Sequence, residues 1–149
     1  MERLDSAFHS SQRHSMPMSI CICDLDRFKW INDTHGHGAG DDVLCEVGNL
    51  FQKEVRGEDI VARFGGDEFC FLFPFTPAKE AADCLKRILP RLRTLRFKGF
   101  DGAPFAVSAT FGLADRSPNP STKEQLLESA DQALYQAKAK GRDCIHILE

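Results

Sequence analysis

The sequence has no C-x-x-C pair, no cysteine-rich loop, no internal repeat, no low-complexity linker and no apolar run long enough to cross a bilayer. Each absence removes a class of protein. Without paired spacing, the six cysteines (Cys21, Cys23, Cys45, Cys70, Cys84, Cys144) read as reduced core thiols and not as a zinc or disulfide framework. That points to the cytoplasm. Residues 1–17 carry charges, histidines and serines but no apolar core of leader or anchor length, so no membrane contact by this chain is expected. A net charge of −3 gives no general attraction to nucleic acid, and no nucleic-acid partner is expected. A polyanionic ligand must be held locally, by a few cations or a metal, which suits a small phosphorylated molecule.

What is present fits one domain with one sizeable core: 149 residues, 42% apolar and 28% charged. Residues 18–23 form a short apolar run between Pro17 and Asp24, the pattern of a buried strand ending on an acid. A short helix over 26–32 follows, then a loop punctuated by Gly36, Gly38 and Gly40. The next helix carries Val43, Leu44, Val47, Leu50, Phe51 and Val55 on one stripe, with Asp41 and Asp42 at its positive end. Runs 60–64 and 69–73 pair as a hairpin across Gly65-Gly66-Asp67-Glu68. After Pro77 a helix built on Ala81, Ala82, Leu85, Ile88 and Leu89 runs until Pro90 kinks or ends it. Residues 105–113 alternate as a strand. Ser121 and Glu124 predict a capping box for a last helix, closed by Gly141, and 144–148 is a final strand. The order predicts an α+β fold, with helices packed on one mainly antiparallel five-stranded sheet.

Two constellations can carry chemistry. Asp24-Leu25-Asp26-Arg27-Phe28-Lys29 places acids where a buried strand gives way to a helix start. There free N–H groups and Lys29 can hold phosphate, and Asp24 can hold the magnesium that accompanies it. The plain alternative is that Asp26 caps the helix and Asp24 is a solvated strand end. Phe64-Gly65-Gly66-Asp67-Glu68-Phe69 places two carboxylates at a hairpin tip, where they can bind a hard cation. On its own such a tip is an ordinary soluble turn.

Together these segments, with Ile31-Asn32-Asp33, Gly36-His37, Gly40-Asp41 and the tail Ala130-Asp131-x-Ala133-Leu134-Tyr135-x-Ala137-Lys138 followed by Gly141-Arg142, resemble the GGDEF family in order and spacing. The resemblance covers about residues 17–149 and implies a nucleotide-cyclase or polymerase-palm-like fold, with 1–16 a helix or linker remnant. It implies that Asp24, the Leu25 carbonyl, Asp67 and Glu68 bind Mg2+, with Mn2+ an alternative. Asn32 and Asp41 would read guanine, and His37 would lie beside the substrate. Lys29 and the Phe28 backbone would hold phosphates, and Lys138 and Arg142 the outer phosphates. The implied reaction is condensation of two GTP into cyclic di-GMP and two pyrophosphates, with Asp67 or Glu68 the proton acceptor and Lys29 part of the catalytic set. Since one domain of the family holds one GTP, a homodimer is implied, joined to an upstream sensory or dimerising module. Arg56 and Asp59 stand at the family's R-x-x-D site for inhibition by product. The alternative is a catalytically silent module that binds cyclic di-GMP or GTP as a sensor.

The family's opening L-T-G-L-x-N-R segment has no match in residues 1–17, so the chain is expected to be shortened there, which bears on full activity and not on the fold. His35 and His37 in a glycine loop are expected to hydrogen-bond and not to bind a transition metal. The cluster Arg87, Arg91, Arg93, Arg96 and Lys98 is expected to be a solvated face.

Overall fold

The computed structural model describes residues 2–116 and 122–148. The helices are α1 (Glu2–Arg13), α2 (Phe28–His35), α3 (His37–Glu54), α4 (Ala78–Thr94) and α5 (Lys123–Ala139). The strands are β1 (Met18–Leu25), β2 (Ile60–Arg63), β3 (Glu68–Pro74), β4 (Phe97–Lys98), β5 (Pro104–Phe105), β6 (Ala109–Asp115) and β7 (Ile145–Ile147). Five strands form the main sheet in the order β2-β3-β1-β6-β7. Every neighbouring pair is antiparallel except β6 with β7. The α+β expectation holds.

The central strand β1 is buried on both faces, and its period of two sorts the core. Cys21, Cys23 and Leu25 face a layer containing Val43, Val47 and Phe51 of α3 and Leu85, Ile88 and Leu92 of α4. Met18, Ile20 and Ile22 face Leu4 and Phe8 of α1 and Leu126, Ala130 and Leu134 of α5. Phe51 meets Phe69 edge-on at 5.1 Å and Phe71 at 5.0 Å, locking α3 to the hairpin strand β3. On the other face α5 lies directly on the backbone of β6. A Cβ at Gly112 would come within 2.1 Å of the Leu134 nitrogen and 2.5 Å of the Ala130 oxygen, so only glycine permits this approach. Helix α1 is fastened by an ion pair between Asp5 and Lys123 and by Arg116 Nη1 donating to the Ser11 carbonyl at 3.3 Å.

Several local expectations are corrected. Pro90 lies inside α4, which runs on to Thr94, so it does not end the helix. A proline there forfeits one helical hydrogen bond, but Ile88, Leu89 and Leu92 are buried on both sides of it, and that burial outweighs the loss. The loop expected over 36–40 is already helix: α2 and α3 are separated by Gly36 alone. The alternating run 105–113 is split into β5 and β6. Ser121 lies outside the described residues. The capping box of α5 pairs Thr122 with Gln125, the Thr122 hydroxyl accepting from Gln125 N–H at 3.1 Å.

Candidate active site

The end of β1 and the tip of the β2–β3 hairpin come together as one acidic edge. Asp24 sits directly across from Glu68 in the β1–β3 register, and Leu25 N–H donates to the Asp67 carbonyl at 3.1 Å. Asp24 is mostly buried: one carboxylate oxygen, Oδ2, lies 2.5 Å from the Lys138 ammonium, while Oδ1 is buried with no hydrogen-bond partner. Asp67 has its carboxyl pushed up to about 6, first by burial and then by the neighbouring Asp24 carboxylate. An unsatisfied buried oxygen beside a second carboxylate that resists ionising is an arrangement a hard cation relieves. Among the described residues no group of three His, Cys, Asp or Glu side chains could hold a metal ion. Any ion at this edge would take the rest of its shell from main-chain or substrate oxygen.

Asp26 does not cap α2. The cap position is Arg27, in left-handed backbone at φ 56 and ψ 34 with no side-chain cap bond. Instead the Asp26 carboxylate accepts from Ser108 Oγ at 2.6 Å, Thr110 Oγ1 at 2.6 Å and the Asp143 N–H at 3.1 Å. One side chain therefore ties the end of β1 to the head of β6 and to the loop after α5. That loop, Gly141-Arg142-Asp143, has positive φ at three consecutive positions, 117, 64 and 49 degrees. For the two non-glycine residues this costs about 1 kcal/mol each, so the surroundings must hold the conformation. Arg93 does so from α4: Nε donates to Asp143 Oδ1 at 2.9 Å and Nη2 to the Asp143 carbonyl at 3.0 Å. An open groove of about 380 Å3 is lined by Arg27, Trp30, Arg93, Ser108 and Arg142, among others.

The sequence reading missed this network. Ser108 and Thr110, two residues apart, were the available signal, and Arg93 was assigned to a solvated face. That face is in fact partly engaged, since Arg91 also pairs with Glu54.

Of the two residues expected to read guanine, Asn32 lies where α2 and α3 cross. A Cβ at Gly40 would overlap Asn32 Oδ1 at 1.8 Å and approach the Phe28 ring at 3.3 Å, so Phe28, Asn32 and Gly40 share one packed crossing. Asp41 lies next to it but lines a separate open groove of about 500 Å3 between α3 and β2, with Leu44, Cys45, Arg63 and Phe69. Lys29 and His37 are exposed, and neither joins an ion pair among the described residues. His35 and His37 part company: His35 is buried, stacked on Phe105 at 4.1 Å and edge-on to Trp30 at 5.4 Å.

Arg56 and Asp59 form a compact turn at the opposite end of β2 from the glycines. Arg56 N–H donates to Asp59 Oδ2 at 2.9 Å, and Asp59 N–H donates to the Arg56 carbonyl at 3.0 Å. The Arg56 side chain is 58% exposed while that of Asp59 is 2% exposed, with Oδ1 unpartnered. Burial raises the Asp59 carboxyl above its ordinary range, although the Arg56 N–H and guanidinium pull it back.

The five-stranded mixed sheet, with an acid pair where its central strand meets a Gly-Gly hairpin, defines an α+β domain with its candidate site at one sheet edge. The profile of the family described as "Diguanylate cyclase, GGDEF domain" matches residues 1–144, and the chain belongs to that family. It is 38% identical over 140 residues to the probable diguanylate cyclase DgcC of Escherichia coli K12, covering 94% of this chain and 37% of that protein. With the diguanylate cyclase DosC of the same organism it shares 37% identity over 137 residues, covering 92% of this chain and 30% of the relative. The chain thus spans well under half the length of these curated relatives. Among solved structures, the GGDEF domain of DgcB from Caulobacter crescentus in complex with c-di-GMP superposes with a TM-score of 0.92 at 30% identity, covering 99% of this chain and 86% of that one. The diguanylate cyclase SiaD of Pseudomonas aeruginosa, in complex with its activator SiaC, superposes at 0.91 with 36% identity, covering 98% and 55%.

Proposed function

We propose that this chain is the catalytic domain of a diguanylate cyclase, condensing two GTP into cyclic di-GMP. The observation that carries the reading is the buried, unpartnered Asp24 Oδ1 beside Asp67, whose carboxyl is pushed up to about 6, at the edge of an open glycine turn. These residues fit a divalent cation, with Asp24, Asp67 and the Leu25 carbonyl as ligands and Glu68 adjacent. Bound Mg2+, or Mn2+, would offset the charge of the triphosphate and lower the pKa of the attacking hydroxyl. Lys29 and the Phe28 backbone hold phosphates, and Lys138 and Arg142 the outer ones. Asn32 and Asp41 select guanine, and His37 borders the nucleotide.

The 3′-hydroxyl of one GTP attacks the α-phosphate of the other, its proton passing to Asp67 or Glu68, and pyrophosphate leaves. The same step, run in the opposite sense, closes the ring. Each domain holds one GTP, so two copies face each other, brought together in a longer protein by an upstream sensory or dimerising module. Product returns to Arg56 and Asp59 and inhibits. The six free thiols and the GTP substrate both suit the cytoplasm. We take residues 17–149 as the domain proper.

The test is to incubate the purified chain with GTP and Mg2+ across a range of protein concentrations and to identify products by chromatography. Cyclic di-GMP and pyrophosphate, formed at a specific activity that rises with concentration, are expected. GTP left unconsumed at every concentration, while cyclic di-GMP binds the chain, would assign it instead as a silent sensor.

A further inference from the structure

We propose that Arg93, through Asp143, is a positioning residue for Arg142, with Asp26 as the second anchor of the same loop. The inference rests on the assignment of Arg142 to substrate phosphates and extends it to residues on other elements. Three observations converge. The loop 141–143 is left-handed throughout, at φ 117, 64 and 49 degrees, which fixes the direction in which the Arg142 side chain leaves the backbone. It is held from two sides: Asp26 and Thr110 accept and share the Asp143 N–H, at 3.1 and 3.0 Å, and Arg93 grips the Asp143 carboxylate and carbonyl with a forked guanidinium. The groove these contacts frame is lined by Arg142, Arg27 and Arg93 together, with Trp30 as its apolar wall.

An exposed ion pair alone would contribute little, and the Arg93 and Asp143 side chains are 45% and 43% exposed. What separates this pair from an ordinary surface contact is that it binds main chain as well as side chain, at a residue whose backbone is strained. Releasing Arg93 frees Asp143 on one side, lets the loop leave its left-handed conformation and withdraws Arg142 from the groove. Asn32 and Asp41, assigned to the base, are not among the residues lining this groove, so the effect should fall on phosphates.

The experiment measures binding of a GTP analogue with a methylene bridge between α- and β-phosphates, in Mg2+, against binding of GMP, by calorimetry on the parent chain and on Arg93→Ala, Arg93→Lys, Asp143→Ala and Arg142→Ala. Arg93→Ala and Asp143→Ala should each weaken the analogue about tenfold and leave GMP within about twofold, and a variant carrying both changes, measured alongside, should be no worse than either single one. Arg93→Lys, which carries the charge without the fork, should fall between parent and alanine. Equal losses for analogue and GMP would mean a general structural defect and overturn the inference. So would unchanged analogue binding in Arg93→Ala when Arg142→Ala weakens it. If Arg142→Ala itself leaves the analogue unaffected, the assignment of Arg142 to phosphates fails, and this inference with it.

Discussion

Asp24 and Lys138 meet at 2.5 Å, joining the end of β1 to the last turn of α5 across the acidic edge. A divalent cation bound as proposed would therefore compete with the ammonium for the same carboxylate. Lys138→Ala should raise the GTP concentration for half-maximal rate about tenfold, through loss of a phosphate contact. The same variant should bind Mg2+ more tightly than the parent when no nucleotide is present, because a competing cation is gone. Rate measurements against GTP and a Mg2+ titration by calorimetry give both numbers; weaker Mg2+ binding in the variant would show that the lysine supports the site and does not compete for it.

Asp24→Ala and Asp67→Ala should each lower synthesis roughly a hundredfold or more. Neither should unfold the chain. Asp24 has an unsatisfied oxygen and Asp67 a carboxyl that resists ionising, so removing either relieves repulsion, which for Asp24 offsets the loss of its Lys138 contact, and melting temperatures should stay within about 3 °C of the parent. Near-normal turnover in either variant would take that residue out of the metal site.

Asp41→Ser should lose guanine selectivity by about tenfold or more, since the carboxylate both matches guanine's donors and repels adenine's acceptor. Direct competition of GTP with ATP reads this out. An unchanged preference would place Asp41 with the separate groove between α3 and β2 and not with the base.

The R-x-x-D turn makes a pH prediction. Burial raises the folded-state Asp59 carboxyl above its ordinary 3.8, so in the folded chain its ionisation costs stability. That contribution is intact below the ordinary value, where the group is protonated folded or unfolded, and is lost as pH rises through the raised value. The parent should therefore lose stability relative to Asp59→Asn on going from about pH 3 to pH 7. Melting curves of the two chains across that interval test the slope, and a constant difference would contradict it. Arg56→Ala, with its side chain largely in solvent, should relieve inhibition by cyclic di-GMP while leaving the initial rate within about twofold.

Elements whose cause is local were legible in the sequence. The strand ending on Asp24, the Gly65-Gly66 hairpin and the stripes of α3 and α5 follow from periodicity and turn chemistry, which need only near neighbours. Pro90 misled because its cost is local while the burial of Ile88 and Leu92 that outweighs it comes from the whole core. Asp26 misled for the same reason: a strand-to-helix acid suggests a cap, but its partners Ser108, Thr110 and Asp143 lie 82, 84 and 117 residues away. Arg93 reaches Asp143 across 50 residues, which no reading of a basic run could reveal. That Asp24 and Asp67 touch at all depends on the pairing of β1 with β3, a fact of topology.

The contact between α5 and Gly112 acts as a gauge for the chemistry at the far end of the helix. Because β6 and α5 touch backbone to backbone, the helix has no cushion of side chain in which to settle higher or lower. The height at which Lys138 stands over Asp24 is thus set by the single hydrogen that glycine carries where every other residue has a carbon. A methyl group added on the sheet, well away from any ligand, would be felt first as a charge in the wrong place.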